Sequence, residues 1–452
     1  MYPSKERVTS RPSAGKRQSK QHLRERARQE VEVLGLSQPS QWFRDSGTGI
    51  RIPPPCTRVL QTNAKGKWCG KSALNVVKEE FDGVAKDLDN ILVHSLLRLN
   101  DKPLALEDEV KIKNMDVIKR VIHWHEPPIL VPDKLFVEKL KLPDLVVKEY
   151  NLQGSFVMVC DKPATVPVHP AGPFFANSLT CILEAEQGLE PKSIYPCHRI
   201  DRATSGLTIC TTDVSVSRLI QRKMDEGNVK KMYVAKVKGR FPSSEAEVKL
   251  LRSGICCSFD DGVVEINAPV RVNDPKKGLR EISTSGKPSK SRFQLLTYDS
   301  KDGHSLISCF PITGRGHQLR VHLQSLGHPI VDDVLYGGTE VDSVVRKKAI
   351  ESILQVCNRV ESQKFAQDLS IADVQSAKSS CQICNKGTNG ITSSFTSAQL
   401  LGGGHAISLH ALRYEIRFPQ MKNKDASLGS LRMEVDLPFW AKSIQKEDLC
   451  WL

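Results

Sequence analysis

Short apolar runs alternate with helical stretches through the central part of the chain. Residues 156–160, 207–210 and 233–237 are rich in Val, Ile and aromatic side chains, as is typical of buried strands. Residues 216–225 between them repeat apolar side chains at helical spacing, and 407–411 resume a strand-like pattern near the end. This alternation predicts an α/β domain.

A smaller patterned region precedes it. Residues 72–81 form an amphipathic stretch that predicts a helix, and Asn100-Asp101 ahead of Pro103 predicts a turn. On the far side of that turn, 110–113 and 116–119 alternate apolar and basic residues, which favours short strands. A helix followed by strands with lysines on one face suits a small RNA-binding module.

Two segments lack such patterns. Residues 1–45 are rich in Lys, Arg, Ser and Gln and nearly devoid of aliphatic side chains, so they cannot fold alone. A solvated tail, a nonspecific RNA contact, a nuclear signal and an organelle transit peptide all fit them, although three glutamates weaken the transit pattern. Residues 339–404 are polar, and we expect a loop-rich insertion, helical at 343–356, before the domain ends at 405–445.

Charge and cysteine content indicate which kind of partner and which cellular compartment to expect. Lys and Arg outnumber Asp and Glu by 65 to 51, and the resulting charge of +14 favours a polyanion such as RNA, although a basic protein without such a partner also fits. The 13 cysteines follow no disulfide framework and are read as reduced thiols, which predicts an intracellular protein of cytoplasm or nucleus, or of an organelle reached by the basic N-terminus. No apolar run approaches the roughly 18 residues that span a bilayer, so no membrane partner is expected.

The densest chemistry lies in the segment CHRIDRATSGL, residues 197–207. Asp201 stands between Arg199 and Arg202, and a carboxylate among cations is held in its charged form. Such an anion suits nucleophilic attack or proton abstraction. The same residues also fit a purely structural role, in which Asp201 caps the next element through pairs with its arginine neighbours.

The run HRIDRATSGL looks like the signature HRLDRxTSGL of RluA-type RNA pseudouridine synthases, with Ile200 in place of Leu. Further segments resemble the same family in order along the chain: 159–163, 166–170, 231–233, 286–290, 313–323, 326–330 and 409–411. Ordered agreement over so much of the chain makes chance implausible. The residues at 161–170 and 123–128 are most similar to those of the eukaryotic branch of this family.

The resemblance implies a fold and a domain plan. We expect an α/β (α+β) catalytic domain over 145–338, with a mixed, mostly antiparallel sheet and a central RNA-binding cleft. The module at 65–128 resembles the alpha-L RNA-binding domain that often precedes such synthases. It is degenerate, because 82–97 lacks the usual basic second helix.

The resemblance also assigns site residues. Asp201 would be the catalytic aspartate, Tyr233 would stack on the target base, and Arg320 would pair with Asp201. Without the family match, Tyr233 reads equally well as a core aromatic of a strand. Residues expected to contact RNA or the base are Arg199, Arg202, Lys231, Arg315, His317, Gln318 and Leu319, the last packing beneath the flipped uracil. Gly316 departs from the family, which usually has Thr or Ser there.

Isomerisation of uridine adds and removes no group, so no cofactor or metal is expected, and the partner is a folded, uridine-containing RNA bound by a monomer. His317 and His322 lie five apart in a strand-like run and would face opposite ways, which argues against a metal centre. Cys381 and Cys384 are half of a zinc site, with Cys357 or His405 as distant partners, or else exposed thiols.

Two rival functions fit the sequence less well than an isomerase does. A catalytically silent RNA clamp would be free to lose Asp201, which is present. A metal-dependent nucleoside hydrolase or deaminase would need paired Cys and Glu residues that the chain lacks.

Overall fold

The computed structural model describes residues 43–45, 50–53, 56–81, 96–132, 134–251, 257–274, 278–337, 406–420 and 427–451. Residues 1–42 of the tail predicted at 1–45, the insertion predicted at 339–404 and the cysteines within it lie outside the described residues. His405 lies outside them as well. The described residues fall into two compact units.

The helices and strands of the described residues have the following bounds. The strands are β1 Phe43–Asp45, β2 Ile50–Ile52, β3 Cys56–Asn63, β4 Leu97–Leu99, β5 Lys102–Pro103, β6 Val117–Trp124, β7 Ile129–Leu130, β8 Val137–Lys141, β9 Phe156–Lys162, β10 Tyr195–Pro196, β11 Ser205–Thr211, β12 Val229–Lys238, β13 Cys257–Asp260, β14 Val263–Asn267, β15 Val270–Asp274, β16 Leu279–Ile282, β17 Lys290–Asp299, β18 His304–Pro311, β19 Leu409–Pro419 and β20 Ser427–Glu434. The α-helices are α1 Ala73–Glu80, α2 Asp144–Tyr150, α3 Leu179–Glu186, α4 Val214–Asp225, α5 Glu245–Lys249 and α6 Gln318–Ser325. The 3₁₀ helices are Gly66–Trp68, Val334–Tyr336, Phe439–Ala441 and Lys446–Asp448.

The first unit is a small sheet with one helix, built by described residues between 56 and 125. The strand order is β3-β6-β4-β5, with antiparallel pairing throughout. Ala73, Leu74, Val76 and Val77 bury the apolar face of α1 in its core, as the amphipathic pattern predicted. The strand predicted at 110–113 is wrong, because only an isolated bridge from Lys111 to Ser72 forms there.

The second unit contains a large sheet with the order β13-β14-β17-β18-β12-β19-β11-β9-β8, to which β10 and β20 add at β11 and β19. Pairing is antiparallel except between β11 and β19, which run parallel. The predicted α+β fold with a mixed, mostly antiparallel sheet is confirmed. A hairpin of β15 and β16 and a three-stranded sheet of β1, β2 and β7 stand apart from the large sheet.

The one parallel pairing fixes where the Asp201 loop ends. Gly206 pairs with Ala411 at a φ of 106°, in the left-handed region that favours glycine. A Cβ atom at Gly206 would collide with the backbone of Ala411. The glycine of the signature therefore serves the close approach of β11 and β19 directly after the Asp201 loop.

Most local predictions for this unit hold. The runs at 156–160, 207–210 and 233–237 lie within β9, β11 and β12, and the helix predicted at 216–225 is α4. The strand predicted at 407 begins two residues later as β19. Tyr195 and Pro196 form the short strand β10, which pairs with β11 just ahead of the Asp201 loop.

The strand-like reading of residues 317–322 is wrong. The chain turns at His317, whose φ of 57° is left-handed, and then forms α6. Apolar side chains at 319, 321 and 323 mimic strand alternation, yet every residue from 318 to 323 is buried, so the pattern does not separate a strand from a buried helix. None of the helices in the described part of the chain has the length and apolar character that crossing a bilayer requires.

Candidate active site

Asp201 lies in the loop between β10 and β11, and a buried lysine holds that loop. Lys162 is inaccessible to solvent, and its Nζ donates to the carbonyl oxygens of Pro163 and Val166, both at 2.8 Å, and of Arg202 at 3.2 Å. Burial lowers the pKa of Lys162 to about 7, against the opposing charge of Asp201. The ammonium thus ties the end of β9 to the residue that follows Asp201.

Arg320 is placed between two carboxylates. From α6 its Nε and Nη2 donate to the two oxygens of Asp333 at 2.7 and 2.8 Å, and its Nη1 donates to Asp201 Oδ2 at 3.3 Å. Asp333 is 1% exposed, whereas the side chain of Asp201 is 24% exposed. The buried carboxylate fixes the guanidinium, and the accessible one is left free to meet a ligand.

His317 and Tyr336 form a second contact line to Asp201. His317 Nε2 lies 3.9 Å from Asp201 Oδ2, while its Nδ1 shares a 2.7 Å hydrogen bond with the hydroxyl of Tyr336. Burial lowers the pKa of His317, with Asp201 opposing that shift. Tyr336 also packs its ring 4.8 Å from the guanidinium carbon of Arg320. The line therefore presents an uncharged imidazole to the carboxylate at neutral pH.

Tyr233 lies on β12, and its hydroxyl shares a 2.5 Å hydrogen bond with that of Tyr414 on β19. Burial raises the pKa of Tyr233, against the hydrogen bond with Tyr414, and the negative charge of Asp201 adds to the rise. The ring of Tyr414 lies 5.1 Å from that of His198. His198 Nε2 accepts a hydrogen bond from the backbone N of Ile209 at 3.1 Å, which fixes the start of the Asp201 loop on β11.

The loop from Thr313 to His317 is braced by Gln318. Its Oε1 accepts from Thr313 Oγ1 at 2.7 Å and from the Arg315 backbone at 3.0 Å, while its Nε2 donates to Lys290 O and Ser291 Oγ. Gln318 is buried and its amide is fully used. We therefore find Gln318 in a bracing position, although the sequence suggested an RNA contact.

The other expected RNA contacts surround Asp201 at different depths. Leu319 is 6% exposed and packs in the same core cluster as Tyr233. Arg315 is exposed, and its Nε donates to Pro288 O at 3.1 Å. Lys231 lies with Nζ 5.9 Å from the centre of the Tyr414 ring, and burial lowers its pKa.

Arg199 and Arg202 open onto a separate hollow beside the Asp201 loop. This cavity of about 360 Å³ is lined by Pro167, Val168, His169, Ala171, Gly172, Pro173, Phe174, Arg199, Ile200 and Arg202. The guanidinium carbon of Arg202 stacks 5.2 Å from the ring of Phe174. Both arginines are therefore neighbours of Asp201 along the chain and line this cavity.

Four contributors escaped the sequence: Asp333, Tyr336, Tyr414 and Lys162. Asp333 alone had a usable signal, because a buried arginine needs a carboxylate and Asp332-Asp333 closely follow the family segment at 326–330. Among the described residues, no group of three or more His, Cys, Asp or Glu side chains gathers as metal ligands would.

Known proteins match this chain in the region that builds the site. The family model described as RNA pseudouridylate synthase matches residues 156–325. A tRNA pseudouridine(31) synthase of Saccharomyces cerevisiae is 33% identical over 296 residues, covering 64% of this chain and 72% of that protein. The pseudouridylate synthase RPUSD2 of Mus musculus is 34% identical over 293 residues, 64% of this chain and 46% of that protein.

The match spans about half the length of RPUSD2. The solved structure of human RNA Pseudouridylate Synthase Domain Containing 1 overlaps 67% of this chain and 84% of its own, at 18% identity and a TM-score of 0.37.

Proposed function

Because the chain belongs to the RNA pseudouridylate synthase family, we propose that it converts uridine in RNA to pseudouridine through the carboxylate of Asp201. The observation that carries the proposal is the position of Asp201. Its side chain is partly accessible, Arg320 donates to it, and Tyr233 packs in the core cluster that contains its chain neighbour Ile200. An accessible anion beside an aromatic ring matches what the reaction needs.

The chemistry requires one group that works on the ring or the sugar. The bond from N1 to the sugar carbon C1′ breaks, the uracil turns, and C5 bonds to C1′; C5 loses a proton and N1 gains one, so the composition is unchanged. Asp201 can attack the ring or the sugar, or remove a sugar proton, and each route needs it ionised. Arg320 would stabilise that ionised form, and Asp333 would keep Arg320 in position.

Recognition of the target needs an unstacked base. Extrusion of a nucleotide costs a few kcal/mol, which stacking and pocket hydrogen bonds offset. In our proposal Tyr233 stacks on the uracil, Leu319 packs beneath it, and Arg199 and Arg202 contact RNA beside the Asp201 loop. Since a similar yeast protein is a tRNA pseudouridine(31) synthase, tRNA is the first substrate class that we assign.

The proposal also covers the N-terminal module, the oligomeric state and the compartment. The module at 65–128 would contact RNA outside the active site, and the protein would act as a monomer without a cofactor. Cytoplasm or nucleus remains the predicted compartment. Basic residues of this module support the first point, since β6 carries Lys119 and Arg120 at its centre.

The direct test incubates the purified full chain with tRNA labelled in its uridines, in the presence of a metal chelator. Pseudouridine in the nuclease digest supports the proposal. Free uracil would assign a hydrolase, and unchanged uridine with retained RNA binding would assign a silent clamp. The matched control is Asp201→Asn, which keeps the size of the side chain and removes its charge, and which should form no pseudouridine.

A further inference from the structure

The loop that leads into α6 is flanked by cations on both sides. A Cβ atom at Gly316 would lie 3.4 Å from Arg280 Nε, and a Cβ atom at Gly314 would lie 3.9 Å from Lys231 Nζ. Neither glycine has a left-handed φ, so the backbone does not demand glycine at either position. A side chain at either glycine would instead lie in van der Waals contact with the neighbouring cation.

Gly316 is a departure from the family motif for which the sequence alone offers no purpose. A serine or threonine there would touch the guanidinium of Arg280 with its Cβ and would need further space for its hydroxyl. Glycine thus lets Arg280 lie directly against the loop. We therefore connect the glycine at position 316 with the close approach of Arg280 to the loop.

Arg280 is connected to the Asp201 cluster through its backbone. It lies on β16, opposite Val272 of β15, and its backbone N donates to the Tyr336 hydroxyl at 3.0 Å. That hydroxyl can then donate to Nδ1 of His317, whose Nε2 is 3.9 Å from Asp201. The guanidinium is therefore held at the edge of the active site by a fixed strand.

The charge of Arg280 has no local partner. Its Nη1 is buried without a hydrogen bond, and no carboxylate among the described residues forms an ion pair with it. By contrast, Arg320 has two carboxylates. Arg280 is partly exposed as a residue, so a guanidinium whose charge no carboxylate balances at the edge of an active site is suited to an anionic acceptor supplied by a ligand.

We propose that Arg280 binds a backbone phosphate of the RNA next to the target uridine, and that Gly316 makes this contact possible. The inference rests on the proposed function for its ligand. A phosphate fits because a guanidinium is always charged and matches two phosphate oxygens with two parallel N–H groups. The N-terminus of α6 beside Gly316 adds a partial positive charge that favours the same ligand.

The contact has a clear role in orientation. A phosphate held at Arg280 fixes the sugar next to it, and Arg280 is linked through Tyr336 and His317 to Asp201. Arg280 would act as a positioning residue for the extruded nucleotide, while Asp201 does the chemistry. Sequence readout is not expected of it, since phosphate contacts orient RNA without specifying bases.

The test measures RNA binding, so it does not depend on turnover. The probe is a synthetic tRNA anticodon-arm stem-loop, bound to the full chain over a series of salt concentrations. Arg280→Gln should weaken binding about tenfold and lower the slope of log Kd against log salt by about 0.7 to 0.9, the value of one phosphate contact. The control Arg271→Gln removes a cation from β15 of the same hairpin, where Arg271 pairs with Glu281, and should leave the slope unchanged.

Two further variants guard against misfolding. Arg280→Lys keeps the charge and should restore most of the slope, while Gly316→Ser should weaken binding with all charges present. In a second experiment, a methylphosphonate replaces each loop phosphate in turn. One linkage should weaken binding to the native chain yet make no difference to Arg280→Gln.

The inference is overturned if Arg280→Gln leaves the salt slope unchanged, if Arg271→Gln lowers it equally, or if no single linkage loses its effect in the Arg280 variant. A fall in kcat with unchanged binding would also overturn it, by assigning Arg280 to the orientation of His317 alone. Failure of the proposed function has a different signature: RNA binding with the predicted slope but no pseudouridine.

Discussion

The guanidinium of Arg320 donates from Nη1 to Oδ2 of Asp201 across 3.3 Å. This bond is longer than the two that Arg320 makes with Asp333, at 2.7 and 2.8 Å. The arginine is thus anchored on the buried side and reaches weakly toward the accessible side. An anchored cation can stabilise Asp201 without occupying the carboxylate fully, which leaves an oxygen available for the substrate.

Asp333→Asn should impair both stability and activity. The change leaves the buried Arg320 with half of its anchoring charge, and breaking a buried pair costs about 3–5 kcal/mol of unfolding free energy. A reduced kcat should accompany it, because Arg320 loses its fixed position beside Asp201. Denaturant unfolding and single-turnover kinetics measure the two effects. Asp302→Asn, which removes an exposed partner of Lys236, is the control, and equal behaviour of the two variants would contradict the anchoring role.

The aromatic pair on β12 and β19 separates stacking from hydrogen bonding. Tyr233→Leu removes the ring and should lower kcat/KM by about 5- to 150-fold, the equivalent of about 1–3 kcal/mol of stacking. Tyr233→Phe keeps the ring and should retain most activity, at a cost in stability of about 1–3 kcal/mol because the Tyr414 hydroxyl loses its partner. The double variant with Tyr414→Phe should recover part of that stability. Equal kinetic losses for Phe and Leu would exclude stacking as the role.

Lys162→Met should slow the reaction without weakening RNA binding. The lysine ties three carbonyl oxygens around the Asp201 loop, and a shift of about 1 Å in a catalytic group can cost about 100-fold in rate. The measurement is kcat together with the Kd for tRNA. Lys139→Met on the exposed strand β8 is the control and should change neither. A loss confined to Kd would show that Lys162 serves RNA binding instead.

Acid should destabilise the protein partly through His198. Burial, followed by the charge of Lys231, lowers the pKa of His198 from 6.5 to about 3. Between these two pH values His198 is protonated in the unfolded chain and neutral in the folded chain. The contribution of His198 to the free energy of unfolding is therefore fully present above pH 6.5 and is lost as the pH falls toward 3, by at most about 1.4 kcal/mol per pH unit. His198→Gln keeps an acceptor for the Ile209 N–H and does not titrate.

Urea unfolding of the native chain and of His198→Gln across that pH range measures the effect. The difference in unfolding free energy between them should shrink as the solution is acidified. Subtracting the variant removes the other groups that titrate in this window, among them Asp161, whose pKa burial raises to about 6. A difference that does not change with pH would contradict the neutral, buried state of His198.

The sequence was informative where local pattern and family motif agreed. The runs at 156–160, 207–210 and 233–237 became strands of one sheet, since each is apolar enough to be buried on both faces. The motifs around Asp201 and Arg320 lie 119 positions apart and meet in the fold. No local pattern predicts that meeting, which came from resemblance.

Other features were beyond the reach of pattern. The stretch at 318–323 is buried all round, so its apolar spacing fits both a strand and a helix, and the left-handed turn at His317 decides for the helix. Arg280 carries no motif, and its relation to Gly316 is visible only in three dimensions. Lys162 was part of a family segment, but its three carbonyl contacts depend on tertiary structure.

The central claim is that the carboxylate of Asp201 makes pseudouridine in RNA. The most direct measurement maps pseudouridine across the total RNA of cells that contain the native chain or only Asp201→Asn at the same level. We predict discrete sites, tRNA among them, that are modified with the native chain and unmodified with the variant. Identical maps in the two cell lines, with both proteins folded and able to bind RNA, would contradict the account.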